Sequence, residues 1–354
     1  MDLGLSARDA ALGLVFFLAT AASTWIVTRW VIAMLTRRQI LDSPNARSSH
    51  AAPTPRGGGL GVLGIALPLL AAVTWLHWPA DAAAWAVLGG ALVLAVVSWA
   101  DDLKDISSGL RLAAHAAAVA LALALLPSEF TLFQGALPLI VDRVLAAIAW
   151  VWFVNLFNFM DGIDGIAGVE TIAIGLGMGA AAMLIGGPGG AATATAGLWG
   201  FTLAAGATGF LVLNWHPARV FLGDVGSVPL GFLLGWLLIS LAHWGYWAAA
   251  LILPAYYLAD ATLTLAFRLL RGQRIWEAHK EHFYQRAVAR GWSHDRVAWF
   301  IAKGNAMLLV LAAVSTQVLT GAGDALCVIG AAIIVAVMLA WLARAVPPEG
   351  EAGQ

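Results

Sequence analysis

Apolar stretches broken by short polar punctuation set the pattern of this chain. About eleven of them approach the ~20 residues that a helix needs to cross a bilayer. They run roughly over residues 12–35, 59–78, 83–100, 109–127, 142–160, 166–186, 191–213, 226–243, 246–268, 298–319 and 324–344. One segment stands out against this background. Residues 153–168 read FVNLFNFMDGIDGIAG and place Asn155, Asn158, Asp161 and Asp164 at three-residue intervals. Three residues turn a helix by about 300°, so Asn155 and Asn158 share a face, while a continuous helix carries Asp164 nearly opposite Asn155. The four polar groups converge only if the helix ends. The two Asp-Gly pairs supply the break, because glycine tolerates positive φ and Asp favours turns.

Composition turns this pattern into a class. Of 354 residues, 61% are hydrophobic and 11% charged, and the mean hydropathy is +0.84. The chain is expected to be an all-α, polytopic membrane bundle of about eleven transmembrane helices, forming a single domain over 1–345 with a disordered tail over 346–354. The first stretch is too long and too late for a cleaved signal peptide and is expected to be retained. Positive residues set the orientation. Arg37, Arg38, Arg47, Arg56, Lys104, Arg219 and the group from Arg271 to Arg296 fall on one set of loops, and the opposite set holds Arg8 and Arg143. The positive-inside rule then puts the N-terminus outside and the C-terminus in the cytoplasm. A net charge of −1 argues against a nucleic-acid partner. The single cysteine, Cys327, permits no internal disulfide.

Two glycine patterns carry no chemistry. Gly59, Gly61 and Gly64 match GxGxxG but follow no strand. The run from 175 to 190 reads as close helix packing and a loose outer turn. His115 and Asp260 lie within expected spans and are set aside as groups that pair inside the bundle.

The remaining polar residues gather on the expected cytoplasmic side. Asp101, Asp102 and Asp105 end the third stretch, where three carboxylates make either a solvated helix end or a hard-cation site for Mg²⁺ or Mn²⁺. Asp224 lies between Gly223 and Gly226 and reads as a helix N-cap or a ligand. His279, Lys280, His282 and Arg286 form a basic counterpart, readable as a surface anchor or as donors to phosphate oxygens; zinc at Glu281 and the two histidines is a weaker alternative. An ion-coupled secondary transporter is the rival from another class, but transporters set such groups near the bilayer midplane and here they gather at one interface.

In this order, DDLKD (101–105), NLFNFMDGIDGIAG (155–168), NWHPARVFLGDVGS (214–227) and HKEHFYQR (279–286) resemble the polyprenyl-phosphate N-acetylhexosamine-1-phosphate transferases. That family includes bacterial enzymes that start O-antigen and common-antigen lipid carriers, the peptidoglycan translocase and the eukaryotic dolichol enzyme. The resemblance implies transfer of a sugar 1-phosphate from a UDP-sugar to undecaprenyl phosphate, release of UMP, and a need for Mg²⁺ or Mn²⁺. It further implies a multi-pass protein of the bacterial inner membrane whose site faces the cytoplasm, and allows a homodimer. By motif, Asp101 is the expected base or partner of the lipid phosphate, and Asp102 its neighbour at metal and diphosphate. Asp224 and Asn158 match metal ligands. Asn155, Asp161 and Asp164 match the nucleotide and metal pocket, and Asn214 and Phe221 match uridine-holding positions. His279, Lys280, His282 and Arg286 match the basic motif beside the sugar diphosphate, with His50 and Arg56 as further phosphate contacts. The chain departs from an HIHH-like motif at Glu281, which favours the O-antigen-initiating branch, some of whose members use deoxy N-acetylsugars. A peptidoglycan-precursor transferase of the same superfamily is the alternative.

Overall fold

The computed structural model describes residues 7–42, 52–77, 79, 81–104, 106–185, 190–274, 279–317 and 321–345. His50, Asp105, the expected outer turn at 186–189 and the tail 346–354 lie outside these residues. The elements in chain order are α1 (Ala7–Arg37), β1 (Leu41–Asp42), β2 (Thr54–Pro55), α2 (Gly59–His77), α3 (Ala82–Lys104), α4 (Ser108–Ala124) and α5 (Leu139–Phe159). They continue with α6 (Ile166–Ile185), α7 (Gly190–Asn214), α8 (Asp224–His243), α9 (Trp247–Ile252) and α10 (Ala255–Leu270). The last three are α11 (Phe283–Ala289), α12 (His294–Ser315) and α13 (Gly321–Ala343).

All eleven apolar stretches are helical, and among the described residues nine helices are long and apolar enough to cross a membrane. The other two stretches differ for identifiable reasons. The fourth forms only the 17 residues of α4. The ninth breaks between α9 and α10 at Pro254, a residue that cannot donate a backbone hydrogen bond to a continuing helix. The chain is a multi-pass membrane protein. Its perimeter exposes Leu12, Val15, Val96, Ile140 and Ile333, as lipid-facing surfaces require.

At the centre stands α8, in which every residue from Val225 to Ala242 is buried. A helix apolar on all sides is stable only when wrapped by others, and α3 and α5 pack along it with α2, α6, α7 and α9 beside them. Trp150 of α5 stacks on Phe232 of α8 at 4.7 Å, and its indole N–H donates to the Phe232 carbonyl at 2.9 Å. Lipid tails are as apolar as leucine, so close packing rather than water exclusion must hold such helices together. The pair α6 and α7 shows such close packing. A Cβ on Gly200 would sit 2.6 Å from the Gly175 carbonyl oxygen. The glycine run from 175 therefore serves helix packing, as its composition suggested.

The expected helix break also occurs. The helix α5 ends at Phe159, Gly165 adopts φ +81°, and α6 starts at Ile166, leaving both aspartates in the turn between. A two-stranded antiparallel pairing of β1 with β2 closes the first loop.

Replacing Gly200 by leucine is expected to destabilise the bundle by about 1–3 kcal/mol, because overpacking must push α6 from α7. Gly64→Ala, where a Cβ meets nothing within 4 Å, should leave stability unchanged or slightly raised. Thermal unfolding of the detergent-purified variants measures both.

Candidate active site

At one end of the bundle α3, the start of α4, the β2–α2 junction and the start of α8 bring five charged side chains together. The side chain of Asp102 is buried and accepts the backbone N–H groups of Asp224 at 3.2 Å and Val225 at 3.0 Å. These are orphan donors of the first turn of α8, where the helix dipole favours an anion. A guanidinium nitrogen of Arg56 bridges Asp102 at 2.9 Å and Asp224 at 3.0 Å. Arg111 from α4 repeats the arrangement, bridging Asp101 at 2.7 Å and Asp224 at 3.5 Å. Asp101 is further fixed by the Ile106 N–H at 2.6 Å.

Backbone pairing carries Arg56 to this position. The Phe221 N–H donates to the Pro55 carbonyl, and the Phe221 carbonyl accepts from Gly57 and Gly58. Gly59 lies so close to the start of α8 that a Cβ there would overlap the Gly226 backbone. The GxGxxG pattern thus records a backbone crossing.

The turn after α5 forms the second wall. Asn158 accepts from the Ser227 hydroxyl at 2.6 Å, which places it against the first turn of α8. Asp161 feels the fields of Asp224, Asp102 and Asp164. Desolvation by burial, reinforced by these carboxylates and opposed by Arg56, pushes its pKa up to about 7. Asp164 points elsewhere. Its carboxylate lies 2.6 Å from His216 Nδ1 and 3.3 Å from His294 Nδ1, and accepts from the Ala218 N–H. Desolvation raises its pKa, but the hydrogen bonds from His294 and His216 outweigh this and hold it below the ordinary value. Asn155 is not drawn into the cluster, because its amide donates to the Val151 carbonyl of its own helix. Asn214 brackets the turn, accepting from the Gly165 N–H at 2.9 Å and donating to the Val220 carbonyl at 2.9 Å. Phe221 is half-buried.

The basic motif borders this turn. A Cβ on Gly162 would overlap the Tyr284 hydroxyl, and that hydroxyl donates to the Phe159 carbonyl. Asp260 anchors the motif: it accepts from the Phe283 and Tyr284 N–H groups and the Tyr256 hydroxyl, and lies 3.2 Å from His282 Nδ1. His282 is therefore buried, whereas His279, 4.8 Å away ring to ring, is half-exposed. Desolvation first, then His282 and Arg268, push the pKa of His279 down to about 4. Glu281 pairs with Arg268 and Arg271. Arg286 lies over the Phe283 ring, and Lys280 is exposed.

Sequence reasoning missed Arg111, His216 and His294. Arg111 carried a signal, being a cation inside an otherwise apolar stretch. The two histidines carried none, since only the fold brings them to Asp164.

An acidic cluster tied by arginines at one end of a membrane bundle suits an enzyme that handles phosphorylated substrates. Residues 84–242 match the glycosyl transferase family 4. That match, with the likenesses that follow, supports the resemblance to the polyprenyl-phosphate N-acetylhexosamine-1-phosphate transferases. It is 25% identical over 301 residues, 79% of this chain and 78% of the relative, to a probable undecaprenyl-phosphate N-acetylglucosaminyl 1-phosphate transferase of Bacillus subtilis. A decaprenyl-phosphate N-acetylglucosaminephosphotransferase of Mycolicibacterium smegmatis is 26% identical over an alignment of 374 positions, covering 95% of this chain and 89% of the relative. A phospho-N-acetylmuramoyl-pentapeptide-transferase of Moorella thermoacetica reaches 34% over 184 residues, 50% of this chain and 52% of the relative.

The raised pKa of Asp161 has a defined sign in stability. Ionisation of this group costs more in the folded than in the unfolded chain, so the penalty is complete above about pH 7 and is relieved as pH falls toward 3.8. In metal-free protein the stability difference between wild type and Asp161→Asn should shrink as pH falls from 8 to 5. Thermal unfolding of both proteins across that range measures it.

Proposed function

We propose that this protein transfers an N-acetylhexosamine 1-phosphate, or a deoxy N-acetylsugar 1-phosphate, from a UDP-sugar to undecaprenyl phosphate with release of UMP. The reaction starts a lipid-linked surface polysaccharide such as O-antigen, at the cytoplasmic face of the bacterial inner membrane. The observation that carries this reading is the charge balance of the cluster. Among the described residues, the carboxylates of Asp101, Asp102, Asp161 and Asp224 gather around two arginines, Arg56 and Arg111.

That surplus of two negative charges, on hard oxygen donors, fits Mg²⁺ or Mn²⁺. Asp224 keeps part of its side chain open to solvent and Asp161 feels its field, so these two carboxylates and the nearby Asn158 amide would hold the ion. When bound, it neutralises diphosphate oxygens and favours departure of UMP.

The protein's own groups supply position. Arg56 and Arg111 are each more than a third exposed, and each guanidinium has further N–H donors for phosphate oxygens. Asp102 and Asp101 hold these two arginines from behind and act as positioning residues. A phosphate monoester has its second pKa near 6, so the lipid nucleophile is already largely ionised at neutral pH. Direct attack therefore requires no strong base, and Asp101 orients the lipid phosphate through Arg111. His279, neutral at pH 7, offers a hydrogen bond rather than a charge. Glu281, occupied with Arg268 and Arg271, favours a donor other than plain UDP-N-acetylglucosamine. The likeness to the Moorella relative favours, as a second reading, a muramoyl-pentapeptide donor.

Purified protein with undecaprenyl phosphate, Mg²⁺ and a panel of UDP-sugars, the muramoyl-pentapeptide donor included, should release UMP from at least one donor. Chelation should stop the release and Mg²⁺ restore it. Asp224→Asn and Arg111→Ala should each lower turnover by ~10²–10³. Folded protein silent with every donor would sink the reading. A chiral, isotope-labelled β-phosphorus should be inverted; retention would point instead to a covalent aspartyl intermediate.

A further inference from the structure

Asp164, His216 and His294 come from three separate segments: the turn between α5 and α6, the loop after α7, and the first residue of α12. Both histidines direct Nδ1 at one oxygen, Asp164 Oδ2, from 2.6 and 3.3 Å. One ligand atom from each of the three residues lies within 4.8 Å of the others. Asp164 and His294 are buried, while His216 keeps 37% of its side chain open.

The proton on His294 Nδ1 has two settings: the nitrogen donates to Asp164 Oδ2, or it keeps a lone pair for the Asp164 N–H. Oδ2 already accepts the Ala218 N–H at 3.2 Å, and the Asp164 N–H approaches His294 Nδ1 at 3.4 Å. That nitrogen cannot accept from the backbone and also donate to the carboxylate. In the second setting the Nδ1 lone pair stands beside the carboxylate oxygen as a possible ligand atom.

We propose that Asp164, His216 and His294 form a second cation site, for a divalent transition-metal ion of the zinc class, chemically distinct from the carboxylate cluster. Two imidazole nitrogens and one carboxylate oxygen match zinc's preferences, whereas Mg²⁺ seeks oxygen ligands. Zinc sits about 2.0–2.2 Å from such ligands, and ligand atoms within 4.8 Å of one another are close enough to share one ion. The open side of His216 leaves room for water as a fourth ligand. The ion ties the start of α12 and the loop after α7 to the Asp-Gly turn. It thereby fixes Asp161, three residues before Asp164, at the edge of the carboxylate cluster. This inference does not depend on the proposed sugar-phosphate reaction.

The test uses tag-free, full-length protein in detergent, stripped with a chelator and offered Zn²⁺ in the presence of excess Mg²⁺. Bound zinc is counted by mass spectrometry after gel filtration, which also reports folding. Wild type should retain one zinc per chain, and His216→Gln and His294→Gln should each weaken its binding by ~100-fold or more. His216→Cys keeps a zinc ligand and should hold Co²⁺ with a thiolate-to-cobalt charge-transfer band that wild type lacks. No retained zinc in wild type, retention unchanged in both glutamine variants, or zinc displaced by Mg²⁺ would each overturn the proposal. A cysteine variant that holds cobalt without the band would overturn it too. Partly exposed His216 makes its variants the safer ones to fold.

Discussion

The candidate site depends on one buried carboxylate. The Asp102 side chain is shut off from solvent, and it satisfies two backbone donors at the head of α8 while holding Arg56. Removing the Asp102 carboxylate would leave the two backbone donors without their acceptor and Arg56 with one carboxylate fewer. The N-terminus of the central helix, the arginine from the first loop and Asp224 are therefore set by the same contact. A helix start is a natural anion site, and here the protein fills part of it with its own side chain.

That arrangement explains how an apolar bundle keeps charged groups at its end. Each guanidinium bridges two carboxylates, and Asp224, shared by both arginines, keeps part of its side chain open to solvent. The cluster is thus neither fully neutralised nor fully exposed. The deeper carboxylates, Asp101 and Asp102, fix the arginines from behind.

The basic motif is organised by a different buried acid. Asp260 gathers the first N–H groups of α11 and His282, and Tyr284 then reaches across to the turn that carries Asp161. Glu281 spends its charge on Arg268 and Arg271. His279, Lys280 and Arg286 remain at the accessible side of this motif. Two ends of the chain distant in sequence are joined at Gly162, where a side chain would block the approach of Tyr284.

Much of this was legible in the sequence alone. Apolar length determined the helices, because a span must satisfy its backbone internally, and the Asp-Gly pairs determined where α5 stops. Motif order brought out Asp101, Asp102, Asp161 and Asp224. Tertiary structure alone decided which of these polar groups face one another. Asn155 turned to its own helix, Asn214 became a bracket between backbone segments, and Asp260 became an anchor. Arg111 entered the cluster and His216 and His294 closed on Asp164, since partners far apart in the chain leave no mark in local spacing. Periodicity reports the face of one helix; hydrogen bonds and ion pairs between segments depend on how the helices pack.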